Sequence, residues 1–316
     1  MAGPRDLRVL TWNLFHGRDG APGPTLASTL LRRPVRGAGH THLNRRWHRE
    51  MAAVIRGLEP DVAALQEVSP TAVDDIAGVA GMAPAWALMR PLVGSVGFRG
   101  RLAAHNPDLW RTLEGTANVL LVRPPWEIVP GSVRRLRQNP PGVVAGAARR
   151  LRLPPREALH WFLEPRTLVA ARVRAPGTGT VTVASVHLHN SLVWEVIAVE
   201  ARRAARFVVG GAPPGEPAVV AGDLNAAGAR HPALRAFADA GLDARPGPDG
   251  PGGPITIDHI LSAGLEPVSG PRRLAPSVRE ITVERNGRRE LVLLSDHDPV
   301  EAVFRAPGYP PTAVRT

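Results

Sequence analysis

Polar residues capable of acid–base or metal chemistry stand at the ends of apolar runs in this sequence. They are Asn13, Glu67, Asn118, His187, Asp223 with Asn225, Asp258, and Asp296 with His297. The set is made of carboxylates, amides and imidazoles. Cysteine is absent, which removes thiolate zinc sites, cysteine nucleophiles and disulfide scaffolds together. No glycine-rich nucleotide loop occurs. Such an oxygen-rich set suits a hard cation: magnesium binds one or two carboxylates, keeps waters and takes substrate phosphate oxygens as further ligands. Glu67 and Asp296 are the natural carboxylates for Mg2+, with Mn2+ as the alternative. Zinc calls for a tight histidine set such as His-Glu-x-x-His. His40 and His42 are two apart in a loop and read as surface residues, and His16 reads as a local structural residue.

Strand ends gather at one edge of a sheet, so a site there rests on a rigid frame. Leu7 to Leu14 alternates as a strand. Val62 to Glu67 reads as a short buried strand, and so do Thr116–Val122, Leu168–Arg174, Thr180–Leu188 and Pro217–Asp223. Ile255–Leu261 and Pro299–Phe304 read as closing strands. Helical spacing marks Asn44–Leu58, Thr71–Val79, Leu192–Val209 and His231–Ala240. Strands alternating with helices, then further strands, give an α/β layered domain. Residues 1–316 read as one domain. It carries Arg-, Pro- and Gly-rich insertions near 17–43 and 124–157 and a frayed tail over 306–316. Pro130–Pro155 and Arg245–Pro254 resist assignment.

Six motifs follow in order, each at a strand end. They are Leu10-Thr11-Trp12-Asn13, Leu65-Gln66-Glu67-Val68, Val186-His187-Leu188, Gly222-Asp223-Leu224-Asn225-Ala226, Ile257-Asp258-His259-Ile260-Leu261 and Ser295-Asp296-His297-Asp298-Pro299-Val300. Together they resemble the motif series of the endonuclease/exonuclease/phosphatase superfamily. Ala117-Asn118-Val119-Leu120-Leu121-Val122-Arg123 and Glu164-Pro165-Arg166-Thr167-Leu168 are weaker matches to it. The resemblance spans Leu7 to Phe304. It implies a two-sheet α/β sandwich flanked by helices, in four layers α/β/β/α, and metal-dependent hydrolysis of phosphoesters. Glu67 would bind the metal, with Asn13 and Asp296 beside it. Asp223 would orient or deprotonate the attacking water, and Asn225 would hold the phosphate or water. His297 would contact the scissile phosphate and Asp258 would orient it. His187 would be the second active-site histidine, and Asn118 would line the floor.

Turn chemistry offers a plainer account of Asp223 with Asn225 and of Asp298-Pro299. His259 reads as packing. His189 and Asn190 either line the pocket or cap the helix that follows, and Arg166 either serves the site or pairs with a carboxylate.

The chain has 316 residues and a formal net charge of +11, and every basic side chain is arginine. Arg90 to Arg156 holds 12 Arg against Asp108, Glu114 and Glu127, a local charge of +9. A field so placed points to an anionic partner, nucleic acid or a membrane surface. A solvated basic loop carries the same charge. Trp110 and Trp126 interleave with the arginines in the manner of base-stacking grooves. The expected activity is a phosphodiester hydrolase, with a nuclease favoured over a lipid or small-molecule phosphoesterase, and a non-catalytic binder last. The continuation Ala226-Ala227-Gly228-Ala229 departs from the abasic-site endonuclease branch. No apolar run reaches the ~20 residues of a membrane helix, and no signal-peptide pattern opens the chain, so a cytoplasmic location is expected.

Overall fold

The computed structural model describes residues 6–20, 35–36, 39–89, 115–243 and 257–308. Trp110, most of the basic segment before Gly115, Arg245–Pro254 and the end of the tail lie outside them. Sixteen strands occur among the described residues. They are β1 (Leu7–Asn13), β2 (Val35–Arg36), β3 (Thr41–His42), β4 (Val62–Val68), β5 (Ala83–Leu88), β6 (Ala117–Val122), β7 (Glu127–Ile128) and β8 (Arg134–Arg137). The rest are β9 (Thr167–Arg174), β10 (Val181–His187), β11 (Ala218–Asp223), β12 (Asp258–Ala263), β13 (Pro267–Arg273), β14 (Glu280–Arg285), β15 (Arg288–Leu293) and β16 (Val300–Phe304). The α-helices among the described residues are α1 (His48–Leu58), α2 (Val73–Ala80), α3 (Pro141–Leu151), α4 (Pro155–Leu163), α5 (Trp194–Val209) and α6 (Pro232–Ala238).

Two six-stranded sheets form the centre. One runs β13-β16-β1-β4-β6-β5; the other runs β12-β11-β10-β9-β7, with β8 also on β9. Side chains alternate across a strand, and this alternation sorts the core. Leu7 and Val9 of β1, Val62 and Ala64 of β4, Val181 and Val183 of β10, and Val219 and Ala221 of β11 fill the space between the sheets. The alternate positions face outward. Leu10, Trp12, Ala63 and Leu65 pack on α1 and α2 through Met51, Ile55, Val73 and Ile76. Ala184, Val186, Ala218 and Val220 pack on α5 and α6 through Ile197, Ala201 and Phe237. The four layers α/β/β/α follow.

The same parity carries the site. Asn13, Asn118, His187, Asp223 and Asp258 continue the inward-facing rows at one edge. β1, β4, β10 and β11 run parallel in their pairs and end there, while β6 and β12 run oppositely and begin there. His187, Asp223 and Asp258 are direct neighbours across three strands. Gly222 lies where a Cβ would overlap the Val186 carbonyl oxygen, so β10 and β11 close only on a glycine.

Several expectations are corrected. Pro130–Pro155, unassigned from sequence, holds β8 and α3, and α4 begins at its end. Pro141 and Pro155 sit in the first turns of their helices, where a missing N–H costs nothing and φ is already helical. These prolines thus start helices. Val144 and Ala147 then pack on Trp161 and on Val196 of α5. The first helix begins at His48 rather than Asn44, because Asn44 has φ +51 and its amide is bound to Asp19. His42 is not a surface residue. It is buried, with Nδ1 2.8 Å from Asp19 Oδ2. Trp126 is buried in the core between the sheets and offers no face to a base. His189 and Asn190 do not cap α5, whose preceding residue Val193 has no side-chain cap bond. β5, β13 and the β14–β15 hairpin have no counterpart in the sequence reading. Among the described residues no helix is long and apolar enough to cross a membrane.

Candidate active site

Asp223 is the centre. Its Oδ2 accepts a hydrogen bond from Asn13 Nδ2 at 3.0 Å. It also lies 3.4 Å from His187 Nε2 and 3.9 Å from His297 Nε2. Asp223 Oδ1 accepts from the backbone N–H of Asn225 at 3.0 Å. Asn225 sits at φ +47, the left-handed conformation Asn tolerates. Its side-chain amide donates to Leu188 O at 2.9 Å. The turn after β11 therefore fixes both residues at once: the turn chemistry and the site are one feature.

His297 lies on the other side. Its Nδ1 donates to Asp258 Oδ2 at 2.8 Å, and its Nε2 stands 3.9 Å from Asp296 Oδ1. The loop holding it is fastened from below. Trp12 Nε1 donates to His297 O at 2.9 Å, and His297 N donates to Ser295 Oγ at 3.1 Å. Ser295 Oγ donates in turn to Asn13 O at 2.7 Å. Arg279 bonds Asp298, Leu294 O and Ser295 O.

Glu67 arrives by a different route. Strict alternation would send it outward with Ala63 and Leu65. A register irregularity between Leu65 and Val68, with Glu67 at φ +52, turns it into the site. Its carboxylate is bracketed by histidines, His16 Nε2 at 3.3 Å and His187 Nε2 at 4.0 Å. His16 was missed as a site residue. Its only sequence signal is that it lies three residues after Asn13, in a turn where it takes φ +53. The loop carrying it is secured by Asp19, which accepts from the amides of Leu43, Asn44 and Arg45 and from Trp47 Nε1. Beside Glu67 a small pocket is lined by His16, Thr116, Glu164 and Arg166.

Of the nine predicted side chains, eight are linked through Asp223, His297 and Glu67. Asn118 stands apart: its amide nitrogen donates to Thr167 O at 2.9 Å across the floor between the sheets. Arg166 pairs with Glu164 at 3.2 Å. His259 hydrogen-bonds Ala226 O through Nε2 at 2.7 Å, a packing role.

The charges are set by burial and neighbours. Burial, with the Asp258 charge, pushes the Asp223 carboxyl up to about 7, against the lowering pull of His297, Asn225 and Asn13. Burial pushes His297 down, but the hydrogen bond to Asp258 and the charges of Asp258, Asp223 and Asp296 overcome it and raise His297 to about 11. The arrangement thus holds a carboxylate ready to take a proton near neutral pH beside an imidazolium that keeps one.

A hard divalent cation fits this donor set. The donors converging at this edge are oxygens and imidazole nitrogens. Asp223, Asp258 and His297, whose ligand atoms lie within 4.8 Å of one another, are engaged with each other, whereas Glu67, beside the imidazoles of His16 and His187, remains partly open to solvent and is the carboxylate left for an ion. Carboxylates in this company suit magnesium or manganese.

No curated protein matches the chain. Solved structures share its fold. The human Nocturnin catalytic domain is 15% identical with a TM-score of 0.58, covering 95% of this chain and 94% of that one. An endonuclease/exonuclease/phosphatase from Beutenbergia cavernae is 19% identical with a TM-score of 0.56, covering 96% and 72%. A mannosyl-6-phosphatase from Bacteroides thetaiotaomicron is 14% identical with a TM-score of 0.55, covering 94% and 99%. At these identities the likeness is one of fold. In sequence, the model of the Endonuclease/Exonuclease/phosphatase family matches residues 10–297, a span that contains all nine site residues, and the chain belongs to that family.

Proposed function

We propose that the protein is a metal-dependent phosphodiester hydrolase acting by in-line attack of water on phosphorus. The observation that carries this reading is the pairing around Asp223: a carboxylate with a near-neutral proton affinity beside the Asp258–His297 pair, at the polar edge of the core. Asp223 takes the proton of the attacking water, with Asn225 and Asn13 holding the carboxylate in place. His297, kept protonated by Asp258, donates to a phosphoryl oxygen and steadies the charge that grows there. His187 orients Asp223 and Glu67 from between them. A magnesium or manganese ion at Glu67, with Asn13 and Asp296 beside it, would neutralise the phosphoryl oxygens when bound.

Nucleic acid is the favoured substrate. Arg150, Arg202, Arg203 and Arg206 line a groove between α3 and α5, which suits a polyanion whose binding is electrostatic. A second reading, a lipid phosphoester, has its own support. Leu159, Phe162 and Leu163 of α4, and Leu192 and Trp194 at the start of α5, are all exposed. The test is hydrolysis of supercoiled plasmid, RNA and sphingomyelin vesicles with and without Mg2+, beside Glu67→Ala and His297→Ala. Metal-dependent nicking lost in both variants supports the nuclease. Turnover confined to vesicles overturns that substrate, and no turnover of any phosphodiester overturns the reading.

A further inference from the structure

Away from Asp223, three side chains converge that the reaction does not use. His160 Nε2 lies 3.4 Å from Glu164 Oε1, and His189 Nδ1 lies 3.4 Å from Glu164 Oε2. The two rings are 5.0 Å apart between centroids. His189 is 1% exposed; its Nε2 has no hydrogen-bond partner, and its Nδ1 meets the Glu164 carboxylate. A buried imidazole so incompletely satisfied is costly in a protein interior. A tetrahedral ion bound at ~2.0–2.1 Å by nitrogen and oxygen sets its ligands about 3.4 Å apart. The three ligand atoms lie within 4.8 Å of one another.

We propose that His160, Glu164 and His189 form a second metal site, specific for a zinc-class divalent cation and separate from the site at Asp223. Two imidazoles and one carboxylate make a three-ligand set with a fourth position open. The side chain of His160 is 46% exposed, which gives the ion a path in.

The ligands are held in advance. Asn139 donates its amide to Trp161 O and Glu164 O, and accepts from Arg166 N. Buried Glu200 accepts from His189 N at 2.8 Å and from Trp161 Nε1 at 2.6 Å. Arg166 donates to Glu164 Oε2 at 3.2 Å and so fixes the carboxylate, the kind of outer contact that metal ligands use. The ion would join the end of α4 to the loop after β10. Glu164 and Arg166 also line the pocket beside Glu67, and His189 lies two residues beyond His187. Its role is therefore to position that rim and not to touch substrate.

The test is zinc retention by the full chain. Protein stripped with a chelator is reloaded with Zn2+, dialysed against excess Mg2+ and assayed by elemental analysis. Cobalt substitution reports the coordination through the intense visible absorption of a four-coordinate ion. The wild type and Glu67→Gln should each keep one equivalent of zinc and show the cobalt spectrum. His160→Ala should lose both, with its circular dichroism unchanged because His160 is nearly half exposed, and His160→Cys should restore binding through a thiolate. No retained zinc in the wild type, or equal zinc in the wild type and His160→Ala, would overturn the proposal. So would loss of that zinc in Glu67→Gln.

Discussion

Asp258→Asn isolates the electrostatics of the site. Asp258 contributes two opposed effects: its hydrogen bond and charge raise His297, and its charge helps raise Asp223. In the wild type, the working pair is ionised Asp223 with protonated His297. It exists from about pH 7, where Asp223 loses its proton, to about pH 11, where His297 loses its own. Neutralising Asp258 lowers both values. His297 falls back toward its ordinary 6.5, as burial pushes it down against the remaining charges of Asp223 and Asp296. At pH about 8.5 a histidine near that value is roughly 1% protonated, so kcat/KM should drop about 100-fold there. Near pH 6 the loss should be much smaller, because Asp223 now ionises more readily. The whole profile moves to the acid side. The assay is kcat/KM against pH with bis(4-nitrophenyl) phosphate and Mg2+, with circular dichroism to show both proteins folded. A loss that is uniform with pH, or limbs that stay in place, would refute the assignment of the two protons.

Two further outcomes follow from buried residues outside the reacting set. Asp19 is held at about 2 by the hydrogen bond and charge of His42 and by Trp47 and Leu43, against its burial. A carboxylate with a depressed folded value stabilises above its unfolded value of 3.8 and loses that contribution as pH falls toward 2. Asp19→Asn should therefore cost about 2 kcal/mol in urea unfolding at neutral pH, a difference that vanishes in strong acid. An unchanged unfolding free energy would remove Asp19 as the anchor of the His16 loop. Trp126→Ala should destabilise the fold by roughly 3–5 kcal/mol while leaving the salt dependence of nucleic-acid binding by the folded protein unchanged. A weaker salt slope would return Trp126 to the binding surface.

The site was legible in the sequence to the extent that alternation governs it. Asn13, His187, Asp223 and Asp258 each extend a row of inward-facing apolar residues, so a period of two already places them together once the strands pair. The helices α1, α2, α5 and α6 show in the spacing of their apolar faces. What was hidden has local physical causes. Glu67 reaches the site through an irregularity that breaks the alternation, so its position came from a motif and not from a pattern. His42 is buried because Asp19 stands behind it, and a residue 23 positions earlier leaves no periodic trace. α3 begins on proline and is rich in Gly, Ala and Arg, so composition pointed to a loop, and α4 begins on the proline that closes that stretch. Trp126 was read by its arginine neighbours in sequence, whereas in space it belongs to the apolar core between the sheets.

The most direct test of the account is the hydrolysis of bis(4-nitrophenyl) phosphate by wild type and Asp223→Asn, each with and without Mg2+. The variant keeps the size of the residue, removes its charge and its capacity to take a proton, and turns one of its two accepting oxygens into a donating amide. The account predicts metal-dependent turnover in the wild type and a loss of about 10²–10⁴-fold in the variant. Metal-dependent turnover that survives intact in Asp223→Asn would contradict it.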